Sequence, residues 1–157
     1  MFSTYIIADT MSFDHFVMPI QDKVVIAKNY LGLAYLPEWN FNGIGDVLNE
    51  QGYQIKTTQD CSITIEGITV TPQNTPIQLV EGWNIISYLR TSPASANLVF
   101  EPLKLQGNIV IAKDEIGAAY LPEWDYNGIG MLSPGKGYQL KTNYPGQLQY
   151  ISNNDTY

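Results

Sequence analysis

The sequence predicts a mainly β fold with short helices, built as two related units in a small sandwich or barrel-like arrangement. Three observations lead there. Val24-Val25-Ile26-Ala27-Lys28 returns as Ile109-Val110-Ile111-Ala112-Lys113, and Ala34-Tyr35-Leu36-Pro37-Glu38-Trp39 returns as Ala119-Tyr120-Leu121-Pro122-Glu123-Trp124, both at an offset of 85 residues. From Val24 to Thr57 no gap is needed and 20 of 34 positions are identical, which marks an internal duplication. The apolar residues fall in short β-branched runs bounded by turn formers, and 45% apolar against 15% charged residues leaves enough for a core.

Taken in order, Ser12 to Met18 has a Ser at the N-cap position and apolar residues at helical spacing, so it is expected to be a short helix. Val24 to Ala27 and Ile109 to Ala112 are read as buried strands. Gly32 to Leu36 and Gly117 to Leu121 are the returning arms of hairpins, turned by Asn-Tyr-Leu-Gly and Asp-Glu-Ile-Gly. Pro37 and Pro122 end those arms, because proline cannot donate to a ladder. Tyr53 to Thr57 and Tyr138 to Thr142 alternate polar and apolar residues as half-buried strands do. Ser62 to Ile65 and Gly67 to Val70 read as one further hairpin. Ala94 to Leu105 occupies the helix position of the second copy, with Pro102 expected to stop it early.

The boundaries follow from the repeat. Residues 1–70 form the first unit, 71–76 (TPQNTP) are the turn-rich linker, and 77–157 form the second unit. Phe2-Ser3 aligns with Ile86-Ser87 if one residue is deleted, and nothing in copy one matches Ile77 to Asn84. Met1 is therefore expected to be internal to a longer array, with a differently closed first copy as the alternative. Residues 153–157 read as a frayed end.

Composition excludes several classes. Fifteen acidic residues against eight basic ones give a net charge of −7 and a pI near 4.4, which argues against binding a phosphate backbone. A single Cys cannot form an internal disulfide, and a single His cannot build a His-based metal cluster. Met1 to Thr10 lacks the pattern of a secretory signal, and no apolar stretch approaches the ~18 residues of a membrane span. Neither nucleic-acid binding nor membrane insertion is expected.

Ile77 to Leu89 (IQLVEGWNIISYL), followed by Val110-Ile111-Ala112-Lys113, Tyr120-Leu121-Pro122, Asn127-Gly128-Ile129-Gly130 and Gly135-Lys136-Gly137-Tyr138-Gln139, resembles a tandem repeat module of large secreted or cell-surface bacterial proteins. Such modules occur in Bacteroidetes-like bacteria and in some phages. The resemblance covers nearly all of 77–151 and, less completely, 1–70. It implies an extracellular, cell-surface or virion location and a structural or adhesive role, and it implies no chemistry. Copy one departs from the pattern, with Asn49-Glu50-Gln51-Gly52 in place of Pro-Gly-Lys-Gly and no Gly-Trp-Asn.

No catalytic set emerges. His15 and Cys61 are not shared between the copies, as a duplicated nucleophile and base would be. Gly43 to Gly45 follows an Asn-Gly turn and lacks the strand–loop–helix context of a phosphate cradle. Glu38 and Glu123 could act as paired carboxylates only if a pseudo-symmetric interface brought them together. The segments opening at Glu38 and Glu123 set oxygen donors at alternate positions before Gly, as calcium loops do, but the bidentate ligand of an EF-hand is missing. No cofactor and no dedicated metal site is expected, with calcium the one ion these donors suit.

The aromatic loops carry the remaining signal. Trp39, Phe41, Trp124 and Tyr126, beside Glu38, Asn42, Glu123 and Asn127, offer ring faces next to hydrogen-bonding groups, as a sugar-binding surface does. The same spacing suits core filling, the commoner role of a repeated Trp, and Trp83 is read as core. Lys28, Lys56, Lys113 and Lys141 are read as strand-end charges that guard sheet edges. The sequence therefore points to a non-enzymatic extracellular structural or adhesive repeat module, part of a longer surface or fibre protein. Its partners would be other protein copies or surface glycans, and self-association would follow from an open edge in copy one. A lectin-like module built on the PEW-x-x-NG loops is the alternative.

Overall fold

The computed structural model describes residues 1–8 and 11–157. In copy one, helix α1 (Phe13–Val17) leads through a 3-10 segment (Met18–Lys23) into strands β1 (Val24–Lys28), β2 (Ala34–Leu36), β3 (Phe41–Asn42) and β4 (Gln54–Thr57). Strands β5 (Ile77–Leu79), β6 (Gly82–Ser87) and β7 (Ala94–Ser95) open copy two and precede helix α2 (Ala96–Leu105). After it come β8 (Ile109–Lys113), β9 (Ala119–Leu121), β10 (Tyr126–Asn127), β11 (Met131–Leu132), β12 (Gly137–Thr142) and β13 (Gly146–Leu148). The fold is mainly antiparallel β, and its sheets do not close into a barrel.

The duplication is visible in the ladders. Copy one has a four-stranded sheet in the order β3-β2-β1-β4, and copy two a five-stranded sheet in the order β10-β9-β8-β12-β6. Even the irregularity is repeated. A bulge at Val25 interrupts the β1–β4 ladder, and its counterpart at Val110 interrupts β8–β12. Such a bulge turns one side chain out of the alternation, and both valines are exposed. The hairpin turns match as well. The Asn29 side-chain oxygen accepts the N–H groups of Leu31 and Leu33, and Asp114 does the same for Ile116 and Ala118. Gly32 and Gly117 supply the positive φ each turn needs, at 80° and 87°.

Each copy packs its own core. Phe13, Phe16, Val17, Ala27, Tyr35 and Tyr53 lie at the centre of the first, and Phe100, Leu103, Tyr120, Leu132, Tyr138 and Leu140 at the centre of the second. Val70 nevertheless belongs to the second core, and Tyr5 packs against it. Met1, Phe2, Ser3, Tyr5 and Val70 thus reach across to the second unit.

A pseudo-two-fold seam joins them. Phe2 pairs with Tyr53 of its own copy and with Lys136 of the other. Ile86, the counterpart of Phe2, pairs with Tyr138 of its own copy and with Gln51 of the other. The Ser3 N–H donates to Gly135 O at 3.0 Å, and the Gly52 N–H to Ile85 O at 2.9 Å. Buried Asn49 fastens the same region, donating to Thr4 O and Ile6 O and accepting the Ala8 N–H.

Several expectations are corrected. Helix α2 continues through Pro102 to Leu105 and ends with the Gly107 N–H on Lys104 O and the Asn108 N–H on Leu103 O, a Schellman cap with Gly107 at φ 66°. Pro102 and Leu98 both face solvent, so the carbonyl that proline leaves unpaired is open to water. Residues 61–70 do not form a hairpin. Cys61 to Glu66 run without a ladder, while Ile7 and Val70 donate across to Ile68 O and Tyr5 O. The C-terminal residues are docked rather than frayed. Arg90 donates to Asp155 O and stands 5.0 Å over the Tyr157 ring, and the Thr91 N–H donates to Asn153 Oδ1. Among the described residues, no helix is long and apolar enough to cross a membrane.

Candidate functional site

The two PEW segments form the same structure twice. Pro37–Trp39 and Pro122–Trp124 are single 3-10 turns, each started by a proline whose missing N–H is not needed there. Each turn ends in a left-handed residue at φ 50°, Asn40 in one copy and Asp125 in the other. These are the side chains that tolerate this conformation best after glycine, which explains why the position varies only between them. The chain then enters β3 or β10, where Phe41 pairs with Leu36 and Tyr126 with Leu121.

Both aromatic pairs are presented to solvent. Trp39 and Trp124 are each 73% exposed, and Phe41 and Tyr126 are 51% and 55% exposed. The core-filling reading therefore fails for these residues. Core filling falls instead to Tyr35 and Tyr120, each 2% exposed. Every second residue of β2 and β9 points inward, whereas the 3-10 turn carries its Trp past the edge of the sheet.

Glycine seats the second ring. A β-carbon at Gly43 would lie 2.9 Å from Phe41 Cε1, and one at Gly128 would lie 2.9 Å from Tyr126 Cε1. Each ring thus rests against bare backbone on one side. Asn42 closes the loop, donating from Nδ2 to Gly45 O and accepting the Gly45 N–H at Oδ1, both at 3.0 Å. Asn127 repeats this with Gly130 at 3.1 and 2.8 Å. Sequence reasoning placed both asparagines at a ligand surface, but their amides are engaged in holding the turn.

Each turn is also tied to the helix of its own unit. In copy one, Asn42 Nδ2 reaches Asp14 of α1 at 3.0 Å. Asp14 is held below the usual carboxylate range by a hydrogen bond from Ser12 and, in smaller part, by this one. In copy two, Lys104 of α2 pairs with Asp125, and that hydrogen bond raises the lysine pKa. The partners differ between copies but the tether is the same. Asp14 and Lys104 escape a sequence reading because only the fold sets them beside the turns.

Glu38 and Glu123 are exposed on their turns. Strand order places them at the outer edges of separate sheets, so the seam does not bring them together. An open depression lined by Met18, Gln21, Asp22, Val24, Pro37 and Glu38 adjoins the copy-one turn. Among the described residues, no three His, Cys, Asp or Glu side chains converge as a metal site. His15 and Cys61 are both exposed.

Trp83 is not core. It faces outward at 44% exposure, with the Lys113 and Lys141 ammonium groups 5.6 and 5.9 Å from its ring centroid. The lysines are misplaced by the edge-guarding reading for the same reason. Lys28, Lys113 and Lys141 stand on interior strands, and only Lys56 on the β4 edge. The sequence matches no protein-family model, no curated protein and no solved structure.

Proposed function

We propose that this chain is a non-enzymatic extracellular adhesive module that displays two matching aromatic contact sites at the outer edges of one seamed body. The observation that carries this reading is the exposure of Trp39 and Trp124 in both copies, each on a turn held by a glycine seat, an asparagine ring and a tether to a helix. Core packing does not account for rings held in solvent. Preorganised aromatics lose little conformational entropy on contact, which is why such residues dominate interface energetics. Two equivalent sites on one body multiply a weak contact through avidity when the target is itself repetitive, as surface glycans and fibre proteins are. The extracellular or virion setting rests on the resemblance of 77–151 to secreted repeat modules.

Within this reading, the exposed rings beside Glu38 and Glu123 favour a carbohydrate face as the contacted chemistry, with sugar C–H groups stacked on the indoles. Tryptophan fluorescence against a panel of oligosaccharides, with and without calcium, tests it. A saturable change lost in Trp39→Ala plus Trp124→Ala, with Trp83 left as an internal reporter and the fold intact by circular dichroism, supports the carbohydrate reading. A panel without response removes the carbohydrate reading and leaves protein adhesion, to be tested by pull-down of other copies of the module.

A further inference from the structure

All the charge on the strands has one sign. The sequence holds fifteen acidic residues, yet among the described residues no strand carries Asp or Glu, and the charged strand residues are Lys28, Lys56, Lys113 and Lys141. Register sets these four on the outward faces of the two large sheets. Lys28 lies opposite Ala34 and Gln54, and its counterpart Lys113 opposite Ala119 and Gln139. Lys56 lies opposite Ile26, and Lys141 opposite Ile111. The inward faces carry Ala27, Tyr35, Ala112, Tyr120 and Leu140 into the cores. Among the described residues none of the four lysines forms an ion pair. Asp114 follows Lys113, but its carboxylate accepts the N–H groups of Ile116 and Ala118 and holds the hairpin turn.

Trp83 stands where this outward face meets the seam. It is the cross-strand neighbour of Lys141, and Lys113 and Lys141 bring their ammonium groups to 5.6 and 5.9 Å from its ring centroid. Two like charges gathered at one ring repel each other, and an anion set between them relieves that repulsion. The same indole lines a cleft of about 190 Å³ with Lys28, Tyr30 and Gln54 of copy one and Gln139 of copy two. This is smaller than the roughly 300–1,000 Å³ of sites that enclose a whole drug-sized ligand. The cleft therefore suits one ring of a longer molecule whose remainder lies along the open face. Gln54 and Gln139 add partly exposed amides, which donate to and accept from hydroxyl groups.

We infer that this face is a second binding site whose ligand is an acidic glycan, with one uronate ring on Trp83, its carboxylate at Lys113 and Lys141, and the chain continuing across the seam to Lys28. Charge complementarity selects an anion, because a patch of one sign in a chain of net charge −7 attracts what the rest of the surface repels. The indole face and the two glutamine amides select a sugar among anions, pairing ring stacking with hydroxyl partners. Lysine also fits a carboxylate carried on a flexible chain, since it acts as a point charge without the fixed fork of arginine. A nucleic acid carries charge far more densely, and the net −7 of the whole chain opposes its approach. The site uses no residue of the PEW turns, so it goes beyond adhesion through them and does not rest on it.

Trp39→Ala plus Trp124→Ala leaves Trp83 as the sole indole of the three, so fluorescence of that variant reports this site alone. The probe is a tetramer of galacturonic acid, with its fully methyl-esterified form as the neutral control. The acid should give a saturable change at low ionic strength, and the ester none over the same concentrations. Affinity should fall by about tenfold between about 0.01 and 0.15 M salt, where the Debye length shrinks from roughly 30 to 8 Å. In the same background Lys113→Gln plus Lys141→Gln, which breaks no ion pair, should keep the circular dichroism of the parent and bind about tenfold more weakly or worse. Calorimetry in that background should show binding abolished by Trp83→Ala and retained by Trp83→Phe, which keeps an aromatic face. No response to the acid, an equal response to the ester, or unaltered affinity after loss of both lysines would each overturn the inference. Equal or tighter binding of a single-stranded oligonucleotide would overturn the glycan assignment. Neutral sugars whose binding is lost with Trp39 and Trp124 report the turns instead, so the two readings fail separately.

Discussion

Gly52 and Gly137 stand back to back across the seam. A β-carbon on Gly52 would come within 3.1 Å of the Gly137 Cα, and one on Gly137 within 3.3 Å of the Gly52 Cα. The two residues are equivalent in the duplication, so the close approach sits on the pseudo-two-fold relation itself. Neither has a positive φ. Glycine is required at both positions for space rather than for backbone freedom.

Alanine at either glycine should therefore destabilise the whole chain. At Gly52 the new methyl would meet Ile86 O at 2.7 Å, and at Gly137 it would meet Phe2 O at 2.8 Å. Both obstacles are backbone atoms of the seam, which cannot rotate away as a side chain can. Overpacking of this kind costs about 1–3 kcal/mol. Urea unfolding should show a lower midpoint for Gly52→Ala and for Gly137→Ala, by similar amounts. Unchanged midpoints would mean that the units are not seamed in solution.

The period of 85 residues, the two hairpins and the Asn-Gly turns were legible in the sequence because they depend on local spacing and turn chemistry. The seam was not. Its register depends on Phe2 lying over Ile86, an alignment one residue out of step with the rest, and on pairings between segments far apart in the chain. For Trp39 and Trp83 the sequence favours the core, because indole composition does not reveal which way a strand or turn points. The effect of Pro102 depends on whether the freed carbonyl meets water, which the sequence does not reveal.

Burial asymmetry between the copies predicts unequal cavity costs at equivalent sites. Leu140 is fully buried, and Leu140→Ala should cost about 2–5 kcal/mol. Its counterpart Ile55 is only partly buried and lines a groove of about 380 Å³ beside Phe2, Phe16 and Ile63, so Ile55→Ala removes less surface from a dry environment and should cost roughly half as much or less. Chemical unfolding of both variants measures the difference. Equal losses would show that the groove is closed in solution.

Removing the exposed indoles should leave stability untouched. Trp39→Ala and Trp124→Ala delete side chains beyond the sheet edges, and surface changes of this type usually stay within about 0.5 kcal/mol. Thermal melts of the double variant should overlay the parent. A large drop would mean that the indoles support the fold, which would remove the main argument for display.

Alkaline pH should unfold the protein through its buried tyrosines. Tyr88 and Tyr150 meet edge to face at 5.3 Å, and their hydroxyls donate to Ser92 O and Ser87 O at 2.7 Å each. Burial pushes both pKa values well above the usual phenol value, since a phenolate there would lose its hydration. Tyr53, Tyr120 and Tyr138 are shifted in the same direction, again chiefly by burial. A raised folded-state pKa means that the native protein holds its protons more tightly than the unfolded chain. That stabilisation is complete below the unfolded phenol pKa of about 10 and is lost as pH rises towards the folded values. Tyrosinate absorbance should therefore climb in a steep, cooperative late step that coincides with loss of near-ultraviolet circular dichroism. Tyr150→Phe keeps the ring but removes its hydroxyl, and should make that step shallower at a cost near 1 kcal/mol at neutral pH. Smooth titration of every tyrosine before the circular dichroism changes would show that these hydroxyls reach solvent in the native state.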